Sequence, residues 1–251
     1  MAESAVVDVE KQGQVLVITI RRPEVRNAVD AAVAHGLGRA LRVLDEEDSL
    51  RVGVLTGAGG VFCAGADLRA RAAGERVVDE DGFAGVTRRA RDKPLIAAVE
   101  GAAVGGGFEL VLACDMVVAA EDAIFALPEV SRSVLAAEGG LYRTIQTLGR
   151  NVAMQLALTG DPITADRAYA LGLVNVLAPR HGALSAALAL AERVARNAPE
   201  AVRQSRRVIA ETAGERDASA WECTQTAYRL VKATDDYREG VRAFLERRAP
   251  R

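Results

Sequence analysis

The sequence predicts a mixed α/β fold that ends in an all-helical C-terminal region. Over about two thirds of the chain, apolar runs of strand character alternate with segments of helical spacing. From Ala183 onward only helical spacing remains, with predicted breaks at Pro199, Gly214 and Thr234. The predicted helices there are 183–197, 199–213, 219–232 and 235–248. We therefore divide the chain into a core, residues 1–182, and a C-terminal helical region, residues 183–251.

Composition excludes several classes of function. The net charge is −2 with the two signs interspersed, and aromatic residues are few, so neither a basic surface nor a base-stacking platform for nucleic acid is indicated. No apolar run approaches the length of a membrane-spanning helix. The first residues, MAESAVVDVEK, carry acids where a signal peptide needs bases. We expect a soluble cytoplasmic protein without a membrane or nucleic-acid partner.

Cysteine and histidine usage argues against metal and thiol chemistry. The three cysteines, Cys63, Cys114 and Cys223, are far apart and form no C-x-x-C pair. The histidines, His35 and His181, have no neighbouring ligand set and offer no obvious base to a nucleophile. We expect no metal site, and we expect any chemistry to use carboxylates and backbone groups.

The first elements in chain order are a hairpin, a helix and a strand. Residues 5–9 and 15–20 are predicted to pair as the hairpin. Asn27 is predicted to cap a helix that runs to about Asp45, with one apolar face. Residues 51–56 are the next strand.

A turn of small residues, Ala64, Gly65 and Ala66, follows this strand after a short glycine-rich run. Small side chains allow a ligand to approach the main chain closely. Asp67 would cap the helix after the turn.

The segment 96–115, IAAVEGAAVGGGFELVLACD, organises the middle of the chain. Three glycines, Gly105 to Gly107, lead from a strand into an apolar helix whose first N–H groups favour negative charge. Glu109 would place its carboxylate beside them. The segment fits neither a P-loop nor a dinucleotide fingerprint. It is either a site for acid–base chemistry at a carbonyl or a close helix–strand contact with Glu109 as a capping or solvated acid.

The two turns of small residues could act together on one ligand atom. Each follows a strand, and each could give one N–H to a single oxygen, which is the geometry of an oxyanion hole.

Downstream segments predict a pocket wall and further helices. Residues 69–92 are charged with few large apolar side chains, which is typical of a mobile helix–loop segment that shapes a pocket. Pro128 and Glu129 suit the first turn of a helix, so Glu129 by itself reads as a helix-start acid. Asn151 and Thr164 are predicted to cap later helices.

The chain resembles the enoyl-CoA hydratase/isomerase (crotonase) superfamily over nearly its full length. Each matching segment is modest alone, but seven in the family's order and spacing are specific. They are RRPEVRNA (21–28), VFCAGADL (61–68), KPLIAAVEGAAVGGGFELVLACD (93–115), AIFALPEV (123–130), GG (139–140), ALTGDPITADRAYALGLVN (157–175) and DYREGVRAFLERRAP (236–250). The resemblance implies a spiral of ββα units and a C-terminal helical region that forms a homotrimer or a dimer of trimers.

The resemblance also implies a substrate and site residues. The substrate would be an acyl-CoA thioester, and because CoA enters with it, no separate cofactor is expected. The N–H groups of Ala66 and Gly106 would form the oxyanion hole. Glu109 and Glu129 would be the catalytic glutamates, which outweighs the helix-start interpretation of Glu129. Further substrate contacts that it implies are Ala28, Ala64, Asp67, Leu68, Val104, Gly105 and Pro128.

The implied reaction is syn addition of water to a trans-2-enoyl-CoA. Glu109 would deprotonate the water that attacks C3, and Glu129 would deliver a proton to C2. An enoyl-CoA isomerase, or another reaction of the superfamily on an acyl-CoA, would need only Glu129 or Glu129 with Glu138. A non-catalytic acyl-CoA binder is a third hypothesis, and the presence of both glutamates argues against it.

Two positions depart from the family pattern. Arg21 stands where the family usually has Asn or Asp, at a strand end. Glu138 directly precedes Gly139-Gly140, where many members have a small or Gly-Pro-containing turn. Glu138 is therefore either a third acid in the pocket or an exposed side chain.

Overall fold

The computed structural model describes residues 6–246 and Arg248. Ala5, the predicted start of the first strand, and the end of the segment 236–250 lie outside the described residues. The strands are β1 (Val7–Gln12), β2 (Val15–Ile20), β3 (Val52–Gly57), β4 (Val78–Asp79), β5 (Gly82–Phe83), β6 (Leu95–Val99), β7 (Ala102–Val104), β8 (Met116–Ala120), β9 (Ile124–Ala126), β10 (Ile163–Thr164) and β11 (Val176–Ala178).

Helices follow most of these strands and dominate the C-terminal part. The α-helices are α1 (Ala31–Glu46), α2 (Leu68–Ala72), α3 (Gly106–Leu112), α4 (Gly140–Leu148), α5 (Arg150–Thr159), α6 (Ala165–Ala170), α7 (Ala183–Ala195), α8 (Pro199–Lys232) and α9 (Asp235–Leu245). Short 3₁₀ helices span Pro23–Val25 and Pro128–Arg132.

The main sheet has six strands in the order β1-β2-β3-β6-β8-β11. The β1–β2 pair is an antiparallel hairpin, as predicted, and every later pairing in this sheet is parallel. A second sheet has the order β10-β9-β7. Parallel strands need both faces covered, which fits the apolar character of β3 and β6.

The chain winds as a spiral between the two sheets. Each turn adds a strand to the main sheet and then a short strand or bridge to the second layer. After β3 comes an isolated bridge between Cys63 and Ala103, after β6 comes β7, and after β8 comes β9. Helix α3 then follows β7. This repeating ββα path is the predicted fold class.

Alternation along the strands creates two apolar cores. Leu16, Ile18 and Ile20 point into the larger core between the sheets, whereas Val15 and Val17 point to the opposite face. Helix α7 covers that opposite face with Ala183, Ala187 and Ala191, whose small side chains recur every four residues. Although the sequence divides the chain before α7, this helix packs on the main sheet.

The C-terminal helices differ from the prediction at one point. Helix α8 runs without interruption from Pro199 to Lys232, so the predicted break at Gly214 is wrong. A single glycine within a helix weakens it by only about 1 kcal/mol, which neighbouring turns can offset. No helix within the described residues is long and apolar enough to cross a membrane.

Two predicted helix caps are wrong and two are confirmed. Asp30, not Asn27, caps α1 by accepting from the Val33 N–H at 2.9 Å. Gly149 is the N-cap of α5, which begins at Arg150, so Asn151 lies inside its first turn. Asp67 caps α2, and Thr164 caps α6.

Asn27 instead joins three chain segments below the site. It is fully buried, its Oδ1 accepts from the Arg22 N–H, and its Nδ2 donates to the carbonyls of Ala58 and Val61. Its φ of 56° lies in the left-handed region, which Asn tolerates better than most residues. The side chain therefore fixes the chain that leads into the turn Ala64–Ala66.

We expect Asn27→Gly to lower the free energy of unfolding by about 1–3 kcal/mol, because it removes the partner of three half-buried polar groups, the Arg22 N–H and the carbonyls of Ala58 and Val61. Glycine accepts a positive φ, so the loss reports the hydrogen bonds and not backbone strain. Urea denaturation measures it. Asn151→Ala is the control, with an expected change below about 0.5 kcal/mol, and equal effects of both substitutions would refute this role of Asn27.

Candidate active site

A cavity of about 760 Å³ lies where the second layer of the spiral meets the C-terminal helices. Its walls come from the turn after β3, the β7–α3 turn, the 3₁₀ helix 128–132 and the segment 69–92. Helix α8 closes it with Gln225 and Tyr228, and α9 adds Phe244. The cavity is large enough for the reacting part of an extended ligand.

The two turns of small residues meet in the wall of this cavity. Gly65 has φ +90°, and a Cβ placed on it would lie 2.9 Å from the Gly106 nitrogen and 3.0 Å from the Val104 oxygen. Only glycine permits this conformation together with this approach. The turns are thus held together tightly, with Ala66 and Gly106 adjacent to the point of contact.

The N–H groups of Ala66 and Gly106 are available to a ligand. Both residues line the cavity and are half-buried. Neither N–H donates to a backbone carbonyl within the part of the chain that the structure describes. Gly106 is the first residue of α3, where N–H groups have no partner inside the helix. Two such N–H groups on adjoining turns are the arrangement that an oxyanion hole needs, and this role of Ala66 and Gly106 stays a prediction.

Glu109 is held beside this pair by the loop before α4. Its side chain is almost fully buried, and its Oε1 accepts from the N–H groups of Glu138 at 2.7 Å and Gly140 at 2.9 Å. Burial raises its pKa to about 8, with a further rise from the charge of Glu129, while the two N–H groups lower it. Glu109 is thus an oriented carboxyl that titrates near neutral pH, not a solvated helix acid.

Glu129 reaches the same cavity from the 3₁₀ helix. Its Oε2 is buried and has no hydrogen-bond partner among the described residues. A Cβ on Gly105 would lie 3.1 Å from its Oε1, so the carboxyl sits against the turn that precedes α3. Burial raises the pKa of Glu129 to about 7. Glu129 lines the cavity, and the lack of a partner on one of its oxygens among the described residues makes its carboxyl a candidate for contact with a reactant.

Glu138 is a third carboxyl of the cavity, which decides between the two alternatives left open for it. Its oxygens accept from the Phe83 N–H at 3.3 Å and the Thr87 hydroxyl at 3.4 Å. Arg88 forms an ion pair with it at 3.4 Å. Burial raises the pKa of Glu138, and the charges of Arg88 and Arg71 partly offset that rise. Glu138 therefore joins the β4–β5 hairpin segment to the loop that orients Glu109.

The structure brings together most of the predicted substrate contacts. Those that line the cavity with Ala66 and Gly106 are Ala28, Ala64, Asp67, Leu68, Gly105 and Pro128. Asp67 also pairs with Arg22 at 3.2 Å, which orders this wall. Val104 lies outside the lining, at the end of β7, where its N–H donates to the Cys63 carbonyl. Its contact with substrate stays a prediction.

Sequence reasoning missed the residues that come from the C-terminal helices. Gln225 and Tyr228 lie on α8, and Arg71 donates to the Tyr228 hydroxyl at 3.3 Å. Trp221, one turn earlier, packs edge-on against Tyr142 and carries Arg88 on its ring face. The sequence of α8 is polar and has no motif that could have revealed this role. The segment 69–92, in contrast, lines the cavity as predicted.

A second, apolar pocket of about 260 Å³ adjoins the first. It lies between the 3₁₀ helix 128–132 and helices α4 and α5, and Glu129 lines both pockets. Ile145, Met154 and Leu158 from α4 and α5 line it and are exposed. Apolar side chains grouped on one exposed face are typical of a contact surface.

The described residues of the site offer neither a set of metal ligands nor a reactive thiol. Within the described residues no group of three His, Cys, Asp or Glu side chains is arranged to hold a metal ion. The three cysteines are free thiols, and burial raises the pKa of Cys63 and Cys114 to about 12, which makes them poor nucleophiles.

Comparison with known proteins identifies the family of this chain. The family model described as "Enoyl-CoA hydratase/isomerase" matches residues 10–251. The chain belongs to this family. It is 38% identical to mevalonyl-coenzyme A hydratase sidH of Aspergillus fumigatus over 94% of this chain and 90% of that protein. It is 36% identical to the 2,3-dehydroadipyl-CoA hydratase of Escherichia coli, covering 96% of each.

A solved structure agrees in fold as well as in sequence. The carnitinyl-CoA hydratase from Mycobacterium avium superposes with a TM-score of 0.94 at 43% identity, over 99% of this chain and 98% of that one. The predicted superfamily, its crotonase fold and a hydratase type of enzyme are therefore confirmed.

The raised pKa of Glu109 predicts that stability falls as pH rises. In the unfolded chain this carboxyl ionises near its ordinary value of 4.5, whereas the folded protein holds the proton to about pH 8. Between these values the folded state binds more protons, so deprotonation weakens folding, by roughly 2–5 kcal/mol in all.

Glu109→Gln tests this pH dependence. The amide cannot ionise, and its Oε1 can still accept both N–H groups. We expect urea denaturation between pH 5 and pH 8 to show a loss of stability in the wild type that is smaller in the variant by the contribution of Glu109. The loss that remains comes from Glu129 and Glu138, whose pKa values burial also raises. Glu222→Gln, at an exposed position of α8, should retain the wild-type slope. Identical slopes for all three proteins would contradict the raised pKa.

Proposed function

We propose that this protein adds water to the double bond of a trans-2-enoyl-CoA and releases a 3-hydroxyacyl-CoA. The observation that carries the proposal is the placement of Glu109 and Glu129 beside the paired N–H groups of Ala66 and Gly106. Together they supply charge stabilisation and proton transfer within one cavity. CoA arrives as part of the substrate, and we expect no further cofactor.

The N–H pair would polarise the thioester. With the carbonyl oxygen between Ala66 and Gly106, electron density shifts from the double bond toward that oxygen, and C3 becomes electrophilic. The start of α3 adds its dipole in the same direction. One such donor contributes about 3–4 kcal/mol to lowering a barrier, because the donors are already in place when the charge develops.

The carboxyl pair would then move two protons. Because each negative charge raises the pKa of the other group, the pair holds one proton near neutral pH. One carboxylate can take a proton from the attacking water while the other carboxyl gives one to C2. Both groups act from the same side of the substrate, which gives syn addition.

We assign the base to Glu109 and the acid to Glu129. Burial raises the pKa of both groups, and because the two carboxyls titrate as a pair their pKa values do not divide the roles between them. A base must hold the attacking water in position. The two N–H groups on Glu109 fix its orientation and stabilise its negative charge.

Glu109→Gln and Glu129→Gln should each lower kcat for crotonyl-CoA hydration by about 10²- to 10⁴-fold, because each removes one proton-transfer group. The loss of conjugated enoyl-thioester absorbance follows the reaction. CoA-ester binding, measured in parallel, should persist in both variants.

The same variants separate hydration from isomerisation. An isomerase that relies on Glu129, alone or with Glu138, would retain activity on a 3-enoyl-CoA after Glu109→Gln. If the wild type binds crotonyl-CoA and neither hydrates it nor shifts the double bond of the 3-enoyl ester, the chain is a binder and the proposed function is wrong.

We also propose that the protein works in the cytoplasm as a homotrimer or a dimer of trimers. Exposed apolar side chains on α4, α5 and α8 support the oligomer, among them Leu158 at 71% and Ile209 at 72% exposure.

Light scattering should give a mass three or six times that of the 26.5 kDa chain. We expect Leu158→Glu to shift the assembly toward smaller species, since it places a charge on the apolar face. Arg238→Ala, at an exposed surface pair, is the control. A monomeric wild type would refute the trimer.

A further inference from the structure

Arg71 is the one half-buried arginine among the described residues that line the cavity, and it forms no ion pair with them. Arg26, Arg69 and Arg132 also lack an acidic partner among the described residues but are exposed. Arg71 lies in the last turn of α2 and is half-buried in the cavity wall. Its Nη2 donates to the Tyr228 hydroxyl at 3.3 Å, and no carboxylate of the described residues forms an ion pair with it. A guanidinium has five N–H donors, so this contact leaves donors free for a ligand.

Arg71 lies near the carboxyl groups of the site. Its charge acts on Glu138, whose N–H donates to Glu109. On α8, Gln225 lies one turn before Tyr228 and donates to the Ala137 carbonyl at 3.3 Å. Arg71 and the two α8 side chains therefore surround the part of the cavity next to the catalytic pair.

The arginine that forms the ion pair with Glu138 is Arg88, not Arg71. Arg88 pairs with Glu138 at 3.4 Å, and its guanidinium also lies over the Trp221 ring, 4.0 Å from the centroid. This pair has no net charge when both groups are ionised. Arg71 is thus a cation without an ion-pair partner among the described residues, close to where the acyl chain of a bound thioester must pass.

An alkyl chain is a poor match for such a wall. It would remove water from Arg71 and offer no acceptor in exchange, which is costly for a charged group. A carboxylate would accept from Arg71 in the two-pronged geometry that guanidinium favours. The Tyr228 hydroxyl and the Gln225 amide would supply further polar contacts.

We propose that the preferred substrates are 2-enoyl-CoA thioesters with a second carboxylate at the far end of the acyl chain, and that Arg71 is the specificity-determining residue that pairs with it. The proposal rests on the proposed hydration. It adds a preference for anionic acyl groups at this end of the cavity. The hydration reaction itself does not need that preference.

A matched pair of six-carbon substrates tests the proposal. One is trans-2-hexenoyl-CoA, with a methyl end, and the other is trans-2-hexenedioyl-CoA, with a carboxylate at that end. We expect the wild type to have a kcat/KM about tenfold or more higher for the dicarboxylic substrate. Arg71→Met should lower the ratio of the two kcat/KM values by about the same factor, and Arg71→Lys should restore part of it.

Two controls accompany these variants. Arg39→Met removes an exposed arginine of α1, remote from the cavity lining, and should leave the ratio unchanged. Competitive inhibition by the saturated esters adipyl-CoA and hexanoyl-CoA reports binding without turnover. Adipyl-CoA should bind more tightly in the wild type and lose that advantage in Arg71→Met.

Each contrary outcome is distinct. A wild-type preference for the methyl-ended substrate overturns the proposal while leaving hydration intact. An equal loss on both substrates after Arg71→Met would assign Arg71 to the CoA part of the ligand and also overturn it. If neither substrate is hydrated but adipyl-CoA still binds preferentially through Arg71, the anionic site stands and the proposed hydration fails.

Discussion

The site depends on the close approach of two turns, because the paired N–H groups exist only where Gly65 meets the start of α3. The spiral forces this contact. Each ββα turn places its second strand beside that of the previous turn, so the chain after β3 lies against the chain after β6. A side chain at Gly65 would collide with the Gly106 nitrogen, and one at Gly107 with the Cys63 carbonyl. Two unpaired N–H groups are thereby fixed before any ligand arrives, which is the condition for stabilising a developing charge without reorganisation.

Burial raises the pKa of the two carboxyl groups, and backbone N–H donors from a different part of the chain orient Glu109. Glu109 leaves α3 and is held by the loop before α4, whereas Glu129 comes from the 3₁₀ helix after β9. Removal from water raises the pKa of both groups, and their mutual repulsion spreads the two ionisations. The loop 138–140 therefore has two functions, since its N–H groups orient Glu109 and its own carboxyl joins the hairpin segment that closes the cavity.

The C-terminal helices complete the cavity as well as extending the fold. Helix α7 is a layer of the core, and α8 crosses the cavity with Trp221, Gln225 and Tyr228. The catalytic groups come from the spiral, whereas the charged wall around Arg71 and Tyr228 requires α8. In the function that we propose, the chemistry rests on the spiral, whereas substrate choice rests on Arg71 and α8, so changes in α8 or in the segment 69–92 would alter the preferred acyl group without altering the reaction.

The sequence by itself determined the fold class and the strand–helix alternation, and it predicted site residues most of which the structure brings to one cavity. These follow from local signals: apolar periodicity, glycine turns, and the segments around Ala66, Glu109 and Glu129 that match a known family. The role of Asn27 could not be read locally, since a polar residue before a helix looks like a cap whether or not it is buried. Glu138 was open for the same reason, because its partners lie on the hairpin segment and α3, far away in sequence. The continuity of α8 and its place over the cavity were decided only in three dimensions, where packing against Tyr142 and Arg88 outweighs the weak helix propensity of one glycine.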